Sequence, residues 1–346
     1  MVYLVGWLGM FLVSLLVNNK FGKVFGFVLL TYLSVIATCR GLVGTDTVSY
    51  ISLFENLGQG ASVGFSEVGF IYLSKLLLSV APSATVAVNL VSLVFYFLIS
   101  VFYYRANKNE SFLLFSYLLP VFAYSYSMNA LRIGLAFAVF ILVLQSIRRC
   151  GFSAKRIVLF FTPMLFHFSA IVYPTVFFLH LKKWLSVRFM FTLVVLLSFV
   201  LLVFYLNSSY FLHKFANYED FTRPHPLSGL RIVIPLFLIL LGVSLCRLSI
   251  REKIKIIFIS SSLIIFGLLL VQFSYAGLRV LDLFSAAIPL SVLYFYNKQN
   301  LGFDKNLKLF MLLAGVLSAI GIYRGFLLEA ENGGSPFLPY YFSFIV

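Results

Sequence analysis

The stretch RGLVGTDTVSYISLFENLGQGASVGFSEVGF, from Arg40 to Phe70, is polar and lies between strongly apolar segments. It carries one base and three acids, Asp46, Glu55 and Glu67, and the five glycines from Gly41 to Gly64 let the backbone fold closely around a ligand. We therefore predict that this stretch is a functional loop. The apolar segments on either side would form a scaffold that holds it against other polar fragments.

The composition of the chain is that of a membrane protein, since 62% of its 346 residues are hydrophobic and only 11% are charged. Apolar runs of roughly 15 to 22 residues recur along the chain, and each can cross or nearly cross a hydrocarbon core. The first run, Val2–Val17, has no basic residue before it and no small-residue cleavage site after it, so we expect a span and not a cleaved signal peptide. We predict an all-α polytopic integral membrane protein with about 10 to 12 transmembrane helices, forming a single domain over residues 1–346.

Basic residues concentrate in alternate loops, which is typical of loops that remain on the cytoplasmic side. The predicted inner loops hold 18 of the 26 Lys and Arg and only three of the 11 acids, so the net charge of +15 reflects topology and implies no nucleic-acid partner. The two polar outer loops are then residues 39–68 and 207–231. The predicted spans are Val2–Val17, Val24–Thr38, Ala84–Tyr104, Ser111–Tyr126, Ile133–Ile147, Phe189–Leu206, Ile232–Cys246, Ile256–Tyr275, Leu283–Tyr296 and Leu309–Tyr323.

Two apolar segments, Val68–Val80 and Ile157–Leu181, do not fit this alternation. The first starts outside, where the following span must also start, and the second has basic residues at both ends. We interpret both as re-entrant or interfacial helices, which are tolerated at membrane depth when they are buried in protein or line a cavity. The alternative is that the charge bias misleads at one of them, which gives about twelve spans.

Sequence motifs for metals and nucleotides are missing. The histidines have no partner at ligand spacing, the three cysteines lie far apart, and there is no P-loop, GxSxG motif or Rossmann glycine set. We therefore expect no metal and no cofactor, and chemistry that is independent of metal and ATP.

Several arginines occur at the predicted outer edge of the membrane. A guanidinium stays charged and offers a planar fork that matches phosphate oxygens, so a lipid-linked pyrophosphate is a suitable ligand. A single Arg at the end of a span is more often a snorkelling anchor, but Arg132 and Arg279 each lie in a short predicted turn between two long spans. His167 fits two interpretations equally, a satisfied buried histidine or a general base. The polar residues predicted at this edge are Arg40, Asp46, Glu67, Arg132, His167, Arg223, His225, Arg231, Arg279 and Arg324.

Four short motifs follow one another in the first half of the chain. They are R-x3-G-T-D-T-x2-Y (Arg40–Tyr50), S-E-V-G-F (Ser66–Phe70), M-N-A-L-R (Met128–Arg132) and F-H-F-S-A (Phe166–Ala170). In this order and spacing the chain resembles the EpsG branch of the Wzy-type O-antigen and exopolysaccharide polymerases. The resemblance extends over roughly Arg40–Pro174.

The resemblance implies a membrane glycosyltransferase that joins oligosaccharide repeat units carried on undecaprenyl pyrophosphate. The product would be O-antigen of lipopolysaccharide, capsule or exopolysaccharide, made at the outer face of a bacterial inner membrane. Membrane lipid, a chain-length regulator and a flippase are the other partners that it implies. The alternatives are a glycan ligase that uses the same donor, and a flippase or transporter of lipid-linked sugars. An internal inverted repeat would favour the transporter, and we find none.

The same resemblance gives the site residues their expected roles. Arg132 and Arg279 would bind the pyrophosphate, and His167 or Asp46 would accept the proton of the acceptor hydroxyl. Tyr340 would stack on sugar, although a place in the interfacial aromatic belt is the plainer interpretation. The residues expected to orient substrate and loops are Arg40, Glu67, Arg223 and Arg231.

Overall fold

The computed structural model describes residues 1–61, 67–151, 154–181, 228–331 and 334–343, together with positions 198 and 205. Within these ranges the chain forms helices and turns and one isolated β-bridge, between Arg40 and Phe342. The helix α6 contains a π-helical segment, Leu114–Leu118, and two 3-10 turns, Thr162–Leu165 and Phe168–Ile171, precede α9. The helices are α1 (Val2–Leu16), α2 (Lys20–Thr38), α3 (Thr47–Gly58), α4 (Val68–Val80), α5 (Ala84–Arg105), α6 (Lys108–Met128), α7 (Leu131–Cys150), α8 (Ala154–Leu159), α9 (Val172–Leu181), α10 (Leu230–Ser244), α11 (Ile250–Val271), α12 (Tyr275–Lys298) and α13 (Lys305–Glu331).

The helices of the described chain confirm the prediction of an all-α polytopic membrane protein. Seven of them, α2, α5, α6, α7, α11, α12 and α13, are long and apolar enough to cross a membrane. Four shorter apolar helices accompany them: Val2–Leu16, Val68–Val80, Phe168–His180 and Leu230–Ser244. The predicted span Phe189–Leu206 and most of the predicted loop 207–231 lie outside the described residues.

Helix α5 shows how the sequence specifies a span. Ser83 accepts a hydrogen bond from the backbone N–H of Val86 and so caps the first turn, and no glycine or proline interrupts the 22 residues that follow. At 1.5 Å per residue such a helix is about 33 Å long, which is enough to cross a bilayer. One face is buried, with Phe95 1% exposed, whereas Phe97 on the other face is 63% exposed. The exposed face is apolar because its solvent is lipid.

The loops rich in Lys and Arg meet at one end of the helix bundle, which we call the basic end. Lys23 donates to the backbone oxygen of Tyr104 at 3.3 Å, which places the start of α2 beside the end of α5. Arg148 forms an ion pair with the buried Glu110 at 2.6 Å. Other contacts join the remaining basic loops to these: Asn107 with Asn297, and Arg247 with Asp304. The grouping of basic loops is the arrangement that the charge pattern predicts.

At the opposite end, helices begin earlier than the apolar runs predict. Arg279 and Asp282 were expected in a short turn, but they lie in α12, because Ser274 caps that helix by accepting from the N–H of Ala276 at 3.2 Å. Arg132 likewise lies in the first turn of α7. The predicted turns are therefore helix starts, and their charged side chains project from rigid backbone.

The polar stretch that follows α2 also contains a helix, although a loop was predicted for residues 39–68. Tyr50, Phe54 and Leu57 are buried at helical spacing along one face of α3, whereas Glu55 is exposed. Helix α4 follows after residues 62–66, which lie outside the described part of the chain. It is 13 residues long, too short for an ordinary crossing and in keeping with the re-entrant or interfacial interpretation.

Residues 154–181 fold back on themselves. The ring centroid of Phe160 lies 5.3 Å from that of Phe177, so the segment that leaves the basic end packs against the segment that returns. His167 lies between the two 3-10 turns at the tip of this hairpin. On the returning limb, His180 is buried, with Nδ1 at 2.8 Å from the oxygen of Val176 and Nε2 at 3.1 Å from Ser260. The hairpin has the form that a re-entrant segment requires, and its tip carries a predicted site residue.

Residues 334–343, which we call the strap, cross over the opposite end of the bundle. The backbone N–H of Gly41 donates to Tyr341 at 2.9 Å, and that of Gly44 donates to Pro336 at 2.7 Å. The hydroxyl of Tyr3 donates to the backbone oxygen of Phe337 at 2.9 Å. The strap thus fastens the start of α1 to the polar stretch after α2.

Candidate active site

Glu67 is the centre of the candidate site, because one carboxylate binds two predicted site residues from distant parts of the chain. Arg132 donates from Nη1 to Oε2 at 2.8 Å, and Nδ1 of His167 lies 2.8 Å from Oε1. These partners are 65 and 100 residues away in sequence. The carboxylate side chain is 1% exposed, whereas His167 and Arg132 are 18% and 32% exposed. A buried acid therefore positions two partly exposed bases.

The ionisation of Glu67 determines what His167 can do. Burial alone opposes the charge, but the hydrogen bond from His167 and the positive charge of Arg132 outweigh it and lower the pKa of Glu67 to about 2. An ionised carboxylate only accepts hydrogen bonds, so Nδ1 of His167 donates to it. That tautomer makes Nε2 the basic nitrogen of the ring. The pair resembles, in its geometry, the acid and histidine that many transferases and hydrolases use to remove a proton.

The guanidinium of Arg132 is held from a second direction by aromatic rings. Its Cζ lies 5.7 Å from the ring centroid of Tyr50 and 5.9 Å from that of Phe70. Both rings come from helices of the polar stretch, α3 and α4. Because cation–π contacts and the ion pair act together, Arg132 has a fixed orientation.

His167 lines a large cavity, which we call the His167 chamber. Its volume is about 780 Å³, and Arg231 and Arg279 also line it. Arg279, predicted to bind the pyrophosphate, and Arg231, predicted to orient substrate, therefore share one cavity with the predicted base. Arg132, the other residue predicted to bind the pyrophosphate, is not among the residues that line it and pairs with Glu67 instead. Polar groups that also line the chamber are Thr45, Ser125, Asn129, Ser169, Ser228, Asp282 and Glu329.

The polar stretch meets the chamber through Thr45. Its hydroxyl donates to Oδ1 of Asn129 at 2.7 Å, and the backbone N–H of Asp46 donates to the same oxygen at 2.9 Å. Gly44 makes this approach possible, since its φ is +105° and a Cβ there would overlap the backbone oxygen of Met128. The motifs at Arg40–Tyr50 and Met128–Arg132 thus form one structural unit. Asp46 itself lies outside the lining of the chamber.

Arg40 and Tyr340 lie away from the chamber, and this geometry gives no support to their predicted contacts with substrate. Arg40 is 0% exposed and donates from Nη1 to the backbone oxygen of Ala37 at 2.6 Å and to the hydroxyl of Ser92 at 2.6 Å. Burial lowers the pKa of Arg40 to about 10, which still leaves it charged at neutral pH. The hydroxyl of Tyr340 donates to the backbone oxygen of Ile36 at 2.6 Å. Nη1 of Arg40 and the hydroxyl of Tyr340 thus both bind backbone oxygens. Arg223 and His225 lie outside the described residues, and the exposed Arg324 lies in α13.

Several polar lining residues had no predicted role, among them Asn129, Asp282 and Glu329. For Asp282 the sequence did contain a signal, because it follows Arg279 by three residues and so shares its face of a helix. Asn129 belongs to a motif in which only the arginine was given a role. Nothing in the spacing relates Glu329, near the end of α13, to the rest of the site.

No group of three or more potential metal ligands occurs among the described residues. Independence from metal remains a prediction, since this finding does not test the reaction. Comparison with known proteins gives one positive result: the model of the EpsG family matches residues 23–342 of the chain. No curated protein and no solved structure matches it.

Proposed function

Because this chain belongs to the EpsG family, we propose that it is a polysaccharide polymerase that joins lipid-linked oligosaccharide repeat units in the membrane. The donor and acceptor would be repeat units on undecaprenyl pyrophosphate, and the product O-antigen, capsule or exopolysaccharide. Family membership points to polymerase-like activity. The substrates and the reaction are our inference from the site.

One observation supports this proposal most directly: a histidine oriented by a buried carboxylate lines the same 780 Å³ chamber as two arginines. Transfer of a sugar from pyrophosphate needs cations that stabilise the charge on the leaving group. It also needs a base for the acceptor hydroxyl. Arg231 and Arg279 provide the first and His167 the second.

In the proposed step, the acceptor hydroxyl oxygen attacks the anomeric carbon of the donor sugar. The bond from that carbon to the pyrophosphate oxygen breaks with its electron pair, and undecaprenyl pyrophosphate leaves. The hydroxyl proton passes to Nε2 of His167 and later to solvent. A glycosidic bond replaces the phosphate ester bond, so atoms and charges balance without a metal or nucleotide.

The geometry favours some of the expected roles over others. His167 lines the chamber and Asp46 does not, which supports His167 as the base. Arg231 joins Arg279 as the partner for pyrophosphate. Arg132, paired with Glu67, becomes a positioning residue that keeps the carboxylate ionised beside His167.

The orientation in the membrane follows from the charge pattern. The chamber lies at the end opposite the basic end, because α7 and α12 each run from the chamber to a basic loop. Basic loops resist translocation, so we propose that the chamber opens toward the periplasm or the cell exterior.

The proposal is tested by deleting the gene and examining the surface glycan. We expect a single repeat unit on its carrier or core, and a restored ladder when the wild-type gene is supplied. Complete loss of the glycan would instead indicate a ligase or a flippase. A ladder that is unchanged by the deletion would refute the polymerase.

The arginine assignment is tested by complementing the deletion with Arg279→Ala and Arg279→Lys. Loss of a charge-assisted contact to the leaving group is expected to lower the rate by roughly 100- to 1000-fold in the Ala variant. Lys should restore it only in part, because it keeps the charge and loses the planar fork. Arg324→Ala, at an exposed position of α13, is the matched control and should polymerise normally. Ladder length per unit of membrane-inserted protein is the measurement, and full activity of Arg279→Ala would contradict the assignment.

A further inference from the structure

A second cavity adjoins the His167 chamber. Its volume is about 230 Å³, and we call it the Trp7 chamber. Trp7, Tyr124, Phe326 and Phe337 line it, and these rings pack on one another: Phe326 and Phe337 stack with centroids 4.3 Å apart, and Trp7 lies 5.1 Å from Tyr124. The indole N–H of Trp7 donates to the backbone oxygen of Pro120 at 2.9 Å, which fixes the ring. The wall is therefore preformed and aromatic.

The two chambers share a polar boundary. The residues that line both, and so form what we call the neck, include Thr45, Ser125, Asn129, Arg231, Asp282 and Glu329. Each can exchange hydrogen bonds with a hydroxyl group. An aromatic wall with a few polar groups at its mouth is the usual composition of a site for a small organic ligand.

We propose that the Trp7 chamber is a subsite for one uncharged sugar residue, the terminal sugar of the acceptor. This inference rests on the proposed function and names the part of the cavity that selects the acceptor. At roughly 30 Å³ per water, a volume of 230 Å³ holds about eight waters, which is room for a single pyranose and not for a longer chain. The apolar C–H face of a pyranose packs against aromatic rings, and its hydroxyls reach the neck.

The distribution of charge separates this subsite from the place of the pyrophosphate. Among the described residues, Asp282, Glu329 and Arg231 line both cavities through the neck, whereas Arg279 and His167 line the His167 chamber alone. The described lining of the Trp7 chamber therefore holds two acids and one arginine, and the His167 chamber adds a second arginine. An anionic sugar in the Trp7 chamber would face both acids without the second arginine, so we expect uronic acids and sugar phosphates to be excluded. A neutral sugar held there presents a hydroxyl toward the chamber of His167, where the donor is attacked.

The strap closes one side of this subsite. Pro336 and Phe337 line the Trp7 chamber, and the backbone oxygen of Pro336 accepts the hydrogen bond from Gly44 that leads into Thr45. The same segment thus provides part of the aromatic wall and supports the polar neck.

Binding can be measured without turnover because Trp7 is one of only two tryptophans in the chain. In a Trp184→Phe protein, purified in detergent, Trp7 is the sole tryptophan and reports on the chamber by its fluorescence. The probes are methyl glucoside, methyl galactoside, methyl N-acetylglucosaminide and methyl glucuronide. We expect at least one neutral glycoside to change the emission saturably, with half-saturation on the order of 1–10 mM, and the glucuronide to have no effect.

Two substitutions in the Trp184→Phe protein test the two parts of the subsite. Asp282→Asn should weaken binding of the neutral glycoside about tenfold and reduce the preference of the protein for that glycoside over methyl glucuronide. Phe337→Ala should weaken the binding of every glycoside that the parent protein binds. The matched controls, Glu252→Gln at the basic end and Phe258→Ala at an exposed position of α11, should bind as the parent does.

The proposal is overturned if no glycoside alters Trp7 emission, if the glucuronide binds as well as the neutral sugars, or if both site variants match the controls. Should Asp282→Asn fail to fold, Phe337→Ala and the charge preference still decide the matter. A protein that polymerises glycan but shows no Trp7 response refutes the subsite alone. If the protein binds neutral glycosides but deletion of its gene leaves the glycan ladder unchanged, the proposed polymerase function alone is refuted.

Discussion

At the scale of single residues, the site depends on one carboxylate whose two oxygens contact different residues. Glu67 gives one oxygen to Arg132 and the other to His167, both at 2.8 Å. The sequence predicted all three residues as members of the site but gave Glu67 only a role in orienting sugars and loops. A contact across 65 or 100 residues is set by the packing of helices, which local spacing does not specify.

Replacing Glu67 with Gln tests this arrangement. A carboxamide has one oxygen and one NH₂ group, so either Arg132 or His167 would face a donor in place of an acceptor. We expect polymerisation per unit of inserted protein to fall by roughly 10- to 100-fold, as for other residues that orient a reacting group. Glu55→Gln, an exposed acid in the same stretch, is the control. Equal ladders from the two variants would show that the carboxylate has no part in catalysis.

The lowered pKa of Glu67 predicts a particular dependence of stability on pH. The pKa of Glu67 falls from 4.5, the ordinary value of a glutamate side chain, to about 2 in the folded protein, so its stabilising contribution is complete above pH 4.5 and is lost as the pH falls toward 2. The difference in unfolding temperature between wild type and Glu67→Gln should therefore have its full size above pH 4.5. It should shrink in more acidic buffer. A difference that grows on acidification would contradict the assignment.

At the scale of helices, the apolar runs predicted most elements and missed the ends of some of them. Val2–Val17 and Ala84–Tyr104 match α1 and α5 to within one residue at each end. The start of α12 was missed because its first turns carry Arg279 and Asp282, which a hydropathy argument assigns to a loop. Capping by Ser274 extends the helix, and charged residues are tolerated there because they line a cavity.

Helix α13 packs closely against the π-helical segment of α6, and no hydropathy pattern predicts this contact. A Cβ on Gly315 would overlap the backbone oxygen of Ser116, which lies in that segment. Gly315→Ala should therefore force the helices apart and destabilise the protein by about 1–3 kcal/mol. Gly302→Ala, where no atom lies within 4 Å of the added carbon, is the control. The unfolding midpoint in detergent is the measurement, and equal midpoints would show that the contact is not tight.

At the scale of the whole molecule, the charge pattern predicted which loops lie together. The ion pair of Arg148 with Glu110 and the contact of Asn107 with Asn297 join loops that were grouped only by their Lys and Arg content. The assembly of the chamber could not be predicted in the same way. The His167 chamber requires the hairpin tip at His167 and the start of α12 to meet, and the adjoining Trp7 chamber also requires the strap. Each of these belongs to a different part of the sequence.

Labelling with a membrane-impermeant thiol reagent tests the orientation. In a variant without the native cysteines, Gly58→Cys, at the end of α3, should react in spheroplasts, whereas Gly302→Cys, between α12 and α13, should react only after lysis. Both positions have open space for a side chain, so reactivity reports on sidedness and not on burial. Labelling of Gly302→Cys in intact spheroplasts would show that the orientation is the reverse of the one we propose.

The strap gives the order of synthesis a consequence for activity. Residues 334–343 leave the ribosome only after all the described helices, the last of which ends at Glu331. A message that stops short of them would still yield the inserted bundle with Glu67, Arg132 and His167, but without Pro336 and Phe337 in the wall of the Trp7 chamber. Such a truncated copy would lack part of the subsite that we propose for the acceptor sugar, so we expect it to enter the membrane without elongating glycan.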